Sequence, residues 1–279
     1  MTQAVLPDST REFEFTPADF ERVRKLIYQR AGIALAPSKQ DMVYSRLARR
    51  LRARQIDSFK AYLDDLDDPL SAEWEAFVNA LTTNLTSFFR EAHHFDRLYE
   101  LLLKQTPGSE VLLWSSASST GEEPYSMAIT VMEALDKVRL RVRILATDLD
   151  TNVLETARQG VYALDRIEKL SEERKRRFFL RGSGSAQGYV RVRDELRAMV
   201  SFQQLNLLDP QWPLKGPFTV IFCRNVMIYF DKPTQYRVLQ KMVPLLTPDG
   251  LLFTGHSESF FHATDLIQPC GRTIYRRAR

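Results

Sequence analysis

From residue 16 onward, apolar and polar positions follow a helical period. Phe20, Val23, Leu26 and Ile27 recur at helical spacing behind Thr16-Pro17-Ala18-Asp19. That tetrad offers a threonine cap, a proline at the first helical position and a carboxylate three residues past the cap. Gly32 supplies a stop. Ser38-Lys39-Gln40-Asp41 repeats the cap-and-acid start ahead of a second helix, Met42 to about Arg54. On it Val43, Leu47 and Leu51 share one face, while Arg46, Arg49 and Arg50 fall on another. Phe59–Leu63 and Trp74–Leu81 read as shorter helices around the acidic turn Asp64–Pro69.

Near Leu81 the pattern changes. A polar–aromatic segment, Asn84–Arg90, leads into a helix over Glu91–Gln105. Short, nearly continuous apolar runs follow at Val111–Ser115, Val142–Thr147, Phe218–Cys223 and Leu251–Thr254, with a strand-like Val200–Gln203. They alternate with helical stretches at Pro124–Leu135, Asn152–Arg158 and Thr234–Leu246. Uninterrupted apolar strands between helices predict a parallel sheet covered on both faces. Gly182, Gly184 and Gly188 separate Phe178-Phe179-Leu180 from Tyr189–Val192, which predicts an antiparallel hairpin inserted at about 165–200. The predicted organisation is an all-α domain over residues 1–80 and an α/β domain over 81–279.

Composition removes several classes. No apolar run approaches the roughly 20 residues of a membrane span. The N-terminus lacks the basic-then-apolar layout of a secretory signal. Cys223 and Cys270 show no metal or disulfide spacing, so the chain reads as cytoplasmic and reduced. Charge is uneven: residues 21–60 hold eleven Lys/Arg against three acids, +8, which leaves the rest of the chain at −4. A basic module on a slightly acidic body points to an acidic partner, or else to a solvated helix face.

In an open parallel sheet, ligands bind at the carboxyl ends of the strands. After the first predicted strand comes Ser115–Tyr125, SSASSTGEEPY. It has one glycine, Gly121, where a pyrophosphate loop needs three, and carries Glu122 and Glu123. Carboxylates repel a pyrophosphate but suit ribose hydroxyls and a positive centre, the description of S-adenosylmethionine (SAM). Glu123 is the candidate ribose ligand of the two. After the second strand, Asp148 is placed to accept from ribose hydroxyls, while Asp150 suits a helix cap. Asn206 either pairs with an adenine edge or closes a turn. Cys223-Arg224-Asn225 ends the fourth strand with a polar pair between apolar runs, costly to bury without partners.

The remaining chemistries find no support. His93 and His94 are adjacent, about 100° apart on a helix, and cannot both grip one metal. His256 and His262 lack companions at metal spacing. There is no nucleophile elbow and no phosphate-loop lysine. Base-modifying methyltransferases usually carry an Asn/Asp-Pro-Pro-Tyr motif where this chain has Cys-Arg-Asn-Val, so no metal and no nucleic acid are expected.

Six segments in order, TNLTSFFREAHHF (83–95), WSSASSTGEEPYS (114–126), ATDLD (146–150), QLNLLD (204–209), FCRNVMIYFDK (222–232) and PDGLLFTGHSE (248–258), resemble the chemotaxis receptor methyltransferases of the CheR family. The resemblance implies a Rossmann-like SAM-dependent methyltransferase domain with the inserted antiparallel β-subdomain. It implies transfer of methyl from SAM to glutamate side chains of methyl-accepting chemotaxis receptors, with S-adenosylhomocysteine released. Carried over by position, the cofactor contacts correspond to Asn84, Thr86, Arg90, Glu123, Asp148, Asn206, Leu207, Cys223 and Arg224, joined by Asn225, while Arg90 and Tyr229 match residues beside the transferring methyl. It further implies that the basic helix with Arg46, Arg49 and Arg50 docks on the receptor's cytoplasmic helical bundle, without membrane insertion. The inserted subdomain would bind a C-terminal receptor pentapeptide. A carboxylate acceptor is already a nucleophile at pH 7, so no general base is required. Arg90 has two conceivable roles, at the cofactor's carboxylate or orienting the acceptor glutamate. The first is favoured, because tight pairing would blunt the nucleophile.

Overall fold

A computed structural model describes residues 11–278. The chain divides into two compact units that meet at Thr83/Asn84.

The first unit is helical: α1 (Pro17–Ala31), α2 (Gln40–Arg54), α3 (Phe59–Asp65) and α4 (Glu73–Leu81). The capping box forms as its residues dictate: Thr16 Oγ1 accepts from Asp19 N at 3.1 Å, and the Asp19 carboxylate accepts from Thr16 N at 2.9 Å. The second box does not form. Pro37 begins a 3-10 turn over Pro37–Lys39, so Ser38 lies inside that turn, and α2 starts with no side-chain cap. Val23, Ile27, Val43, Leu47, Leu51, Phe59, Leu63 and Phe77 are buried. At the edge of this core lies one buried carboxylate, Glu73. It takes both arms of Arg50 (2.8 and 2.9 Å), Arg54 Nη1 (3.0 Å) and the Tyr62 hydroxyl (2.8 Å). Burial pushes its carboxyl up, but the hydrogen bonds from Arg50, Tyr62 and Arg54 outweigh that and hold it below the usual range.

The +8 of residues 21–60 is therefore a local count. Arg22 pairs with Asp64 and Asp67, Arg52 with Glu12, Lys60 with Asp64, and Arg50 and Arg54 with Glu73. Residues 1–83 hold 12 Lys/Arg against 13 Asp/Glu.

The second unit opens with α5 (His93–Leu103) and then alternates β1 (Glu110–Ser115), α6 (Glu122–Leu135), β2 (Arg141–Asp148) and α7 (Thr151–Gln159). An insertion follows: β3 (Val161–Ala163), α8 (Glu172–Phe178), β4 (Phe179–Arg181), β5 (Tyr189–Val192) and α9 (Asp194–Arg197). The main rhythm resumes with β6 (Val200–Gln204), β7 (Phe218–Cys223), α10 (Lys232–Met242), β8 (Leu246–Thr254), β9 (Ile267–Gly271) and β10 (Ile274–Arg277). The large sheet has seven strands in the order β6-β2-β1-β7-β8-β10-β9. The first five run parallel, and β10 is antiparallel to both its neighbours. Val111, Leu113, Ile144, Val220, Phe222 and Phe253 enter one core with α5 and α6. Trp114, Ile221, Cys223 and Leu252 enter the opposite one with α10. That alternation is why these strands read as continuous apolar runs.

Four details depart from the sequence reading. The expected hairpin is a three-stranded sheet, β3-β5-β4, that begins at Val161 rather than near 165. The β9–β10 hairpin extends the parallel sheet with antiparallel strands that show little apolar pattern, since Ile267 and Ile274 are their buried residues. Helix α6 starts at Glu122, with Pro124 in its first turn, where a missing N–H costs nothing. Helix α10 stops at Met242 because Pro244 cannot continue it.

Glu73→Ala strands the Arg50 guanidinium and the Tyr62 hydroxyl, so urea denaturation should show a loss of about 2–4 kcal/mol. A change under about 0.5 kcal/mol, ordinary for a surface site, would refute the assignment.

Candidate functional site

The loop after β1 is laced over its neighbours. Ser116 N donates to Phe222 O and Ser118 N to Thr147 O, both at 2.8 Å, which anchors it on the ends of β7 and β2. Gly121 has φ +100°, and a Cβ there would stand 2.7 Å from the Tyr162 hydroxyl and 2.9 Å from Ala157 Cβ. The glycine thus serves a left-handed turn and close packing. The two carboxylates that follow diverge. Glu122 takes the Thr120 hydroxyl at 2.6 Å and the Arg166 guanidinium, which also reaches Thr86 O at 2.9 Å. Glu123 accepts from Ser115 Oγ (2.7 Å) and Arg224 Nη1 (2.9 Å). Burial raises the Glu123 carboxyl above its ordinary range against the pull of Arg224 and Ser115.

At the end of β2 the two aspartates separate by role. Asp150 caps α7, accepting from Asn152 N at 2.9 Å, and receives Asn84 Nδ2 at 2.8 Å. Asp148 accepts backbone N–H groups, from Ser119 at 2.8 Å and Asp150 at 3.0 Å, with the Leu149 N–H also directed at it. Burial pushes its carboxyl up to about 6. A carboxylate has about four acceptor positions, so capacity for a further donor remains. Asn84 O accepts from Ser119 Oγ at 3.0 Å, so the segment carrying Asn84 and Thr86 lies against the loop. Beyond β6, Asn206 Oδ1 takes Leu208 N at 2.9 Å and closes a turn, and Leu207 is buried beside it.

At the end of β7, Cys223 is fully buried and its thiol is pushed up by that burial. Arg224, also buried, gathers the centre. Beyond Glu123 it contacts Glu91 Oε2 at 3.3 Å, donates to the Arg90 carbonyl, and stands 5.7 Å from the Phe95 and Phe222 ring centroids. Arg90 is half-buried and donates from Nη1 to Leu85 O at 2.8 Å. Tyr229 is half-buried at the end of the turn Met227–Tyr229. Asn225 reaches Glu91 Oε1 at 3.5 Å, and its N–H donates to Glu258 Oε2 at 3.1 Å. Phe89, Glu91, Ser119 and Asn225 all hold positive φ, between +49° and +59°. Such backbone clusters at functional sites.

Asn84, Thr86, Arg90, Glu123, Asp148, Asn206, Leu207, Cys223, Arg224, Asn225 and Tyr229 thus sit at or against the carboxyl ends of β1, β2, β6 and β7. Arg46, Arg49 and Arg50 lie on α2 in the other unit. Sequence reasoning missed Glu91, Arg166 and Glu258. Glu258 follows β8, so the strand-end rule applied to the other strands could have found it. The histidines pack structurally: His93 stacks on His256 at 5.1 Å, and His94 Nε2 meets Thr273 Oγ1 at 2.8 Å, with burial and then Arg224 pushing the His94 imidazole down to about 2.

The donor set fits a ligand with ribose hydroxyls and a zwitterionic end. Asp148 keeps acceptor capacity beyond its backbone donors, and the buried Ser118 Oγ and Arg224 Nε have no hydrogen-bond partner among the described residues.

Two family profiles match the chain. One, described as CheR methyltransferase, SAM binding domain, covers residues 84–276; the other, CheR methyltransferase, all-alpha domain, covers 18–82. Chemotaxis protein methyltransferase 2 of Pseudomonas aeruginosa is 53% identical over 270 residues, 96% of each chain. The chemotaxis protein methyltransferase of Salmonella typhimurium is 52% identical, covering 98% of this chain and 94% of that one. The Escherichia coli protein of the same name is 49% identical, covering 98% and 95%.

Hydroxyl donors favour ionised Asp148, so ligand binding lowers a carboxyl that titrates near 6 in the free protein. SAM affinity, measured by calorimetry from pH 5 to 8, should be level above pH 7 and fall below pH 6, approaching about tenfold per pH unit. Asp148→Asn should flatten the profile and weaken neutral binding by about tenfold, the worth of one hydrogen-bonded pair. A wild-type profile level across the range would contradict the assignment.

Proposed function

The chain belongs to the CheR methyltransferase family, and from that premise we propose that SAM is held between Asp148 and the Arg224–Glu123 pair while a receptor glutamate enters beside Tyr229. The protein is a SAM-dependent methyltransferase that methylates glutamate side chains of chemotaxis receptors. Bound SAM supplies a methyl group that carries its own sulfonium leaving group, so the products are a γ-glutamyl methyl ester and S-adenosylhomocysteine. The observation that carries the placement is the pairing of a buried carboxylate at the end of β2, with no cation partner among the described residues, with a buried, ion-paired guanidinium at the end of β7.

Each residue has a defined task in this reading. Asp148, rather than Glu123, accepts from the ribose hydroxyls, because Glu123 is already engaged by Ser115 and Arg224. Glu123 and Arg224, with Arg90, face the zwitterionic end, and Arg90 also orients the acceptor. Asn84, Thr86 and Asn206 border the pocket, while Leu207 and Cys223 give it apolar walls that exclude water. Tyr229 donates a hydrogen bond to the acceptor carboxylate. That acceptor is ionised at neutral pH, and no metal is invoked. The catalytic contribution is alignment in a dry site.

The receptor surface engaged is the cytoplasmic helical bundle, which places the enzyme in the cytoplasm; no helix among the described residues is long and apolar enough to cross a membrane. The helical unit, 1–80, docks on that bundle through α2, and the small antiparallel sheet takes a C-terminal receptor pentapeptide. Within α2 the docking role falls to Arg49, which is exposed and reaches the Ser45 carbonyl at 3.4 Å. Arg50 is held by Glu73, and Arg46 donates to Thr82 O at 2.6 Å.

Incubated with SAM labelled in its methyl group, the enzyme should transfer label to glutamates of a receptor cytoplasmic fragment, and mild alkali should release it. Alkali-stable label would exclude the ester. Arg49→Glu should raise the KM for receptor about three- to tenfold and leave SAM affinity unchanged, since charges at an interface rim act mainly on encounter. An unchanged KM would move docking off α2.

A further inference from the structure

Glu258 has no task in the reaction described above, yet it is 6% exposed and placed between two strand ends. Its Oε1 accepts from Met227 N at 2.8 Å, and its Oε2 accepts from Asn225 N at 3.1 Å and from Gly255 N. Among the described residues it forms no ion pair. A buried carboxylate without a cation is expensive, and backbone N–H donors offset part of that cost. The loops it joins are already anchored by buried Met227, Phe230 and Phe260, so an apolar side chain could have held them together.

What an apolar residue could not do is set the backbone between Arg224 and Tyr229. Asn225 has φ +59°, a left-handed conformation that asparagine tolerates better than other non-glycine residues but that still benefits from restraint. It is enforced from three sides. Glu258 takes its N–H, Glu91 receives its side-chain amide at 3.5 Å, and Gly255 lies so close that a Cβ would stand 2.3 Å from Asn225 Nδ2. The Met227 N–H, at the start of the turn that ends in Tyr229, is held by the same carboxylate.

We propose that Glu258 is a positioning residue for methyl transfer: its carboxylate fastens the turn after β7 to the turn after β8 and so fixes the direction of Tyr229. The proposal rests on the reading that Tyr229 donates to the acceptor carboxylate.

The test compares Glu258→Gln, Glu258→Asp and Tyr229→Phe in steady-state methylation of a receptor fragment. Glutamine keeps the shape but sets an N–H against one of the backbone donors. Aspartate keeps the charge but is one methylene too short to serve both turns. Both should lower kcat, by about 10- to 100-fold for glutamine and less for aspartate, the scale of ångström misplacement in a reacting pair. The KM for SAM and for receptor should stay within about threefold, because Asp148, α2 and the Glu123, Glu91 and Arg90 partners that hold Arg224 are untouched. If glutamine prevents folding, the aspartate variant carries the comparison alone. Native kcat in a folded Glu258 variant, with kcat reduced in Tyr229→Phe, would overturn the positioning role. Native kcat in Tyr229→Phe would instead overturn the reading on which it rests.

Discussion

The second unit is organised around one buried cation. Arg224 leaves the end of β7 and is surrounded by Glu123 from α6, Glu91 and the Arg90 carbonyl from the segment before α5, and two aromatic rings. Desolvating a guanidinium costs several kcal/mol, recovered only when partners stand in good geometry. Those partners come from three separate stretches of chain. The terminal nitrogens of the arginine find their partners only when α6, β7 and the 84–91 segment are assembled, and the same segment lies on the loop that donates to Asp148.

The sequence disclosed features whose signal is local. Strands β1, β2 and β7 were readable because both of their faces are buried, and the Thr16 capping box because its two partners are three residues apart. The split between Asp148 and Asp150 was also readable, since a cap is defined by the helix that follows it. What escaped depends on distant partners. Arg50 looked like a free surface charge, but Glu73 lies 23 positions away. Glu91, Arg166 and Glu258 are single charged residues with no periodic neighbour, and contacts across 134, 44 and 33 positions give them meaning. β3 and the β9–β10 hairpin are short and largely exposed, so they carry too little apolar pattern to announce a strand.

The inserted sheet is bonded to the site rather than appended to it. The Tyr162 hydroxyl donates to Thr120 O at 2.7 Å, and Arg166 bridges Glu122 and Thr86 O. These bonds brace the loop after β1, and they account for Glu122, whose acid side chain serves architecture while its neighbour Glu123 faces Arg224.

The four non-glycine residues with positive φ near Arg224 and the loop after β1 have a consequence for how the protein can change. Left-handed backbone at Phe89, Glu91, Ser119 and Asn225 costs on the order of 1–3 kcal/mol each, less for asparagine than for phenylalanine. Glycine would relax that cost but remove what each side chain holds: Phe89 packs on Phe95, Glu91 on Arg224, Ser119 Oγ donates to Asn84 O, and the Asn225 amide reaches Glu91. Drift toward glycine at these positions would therefore ease the backbone and loosen the groups around Arg224 in the same step.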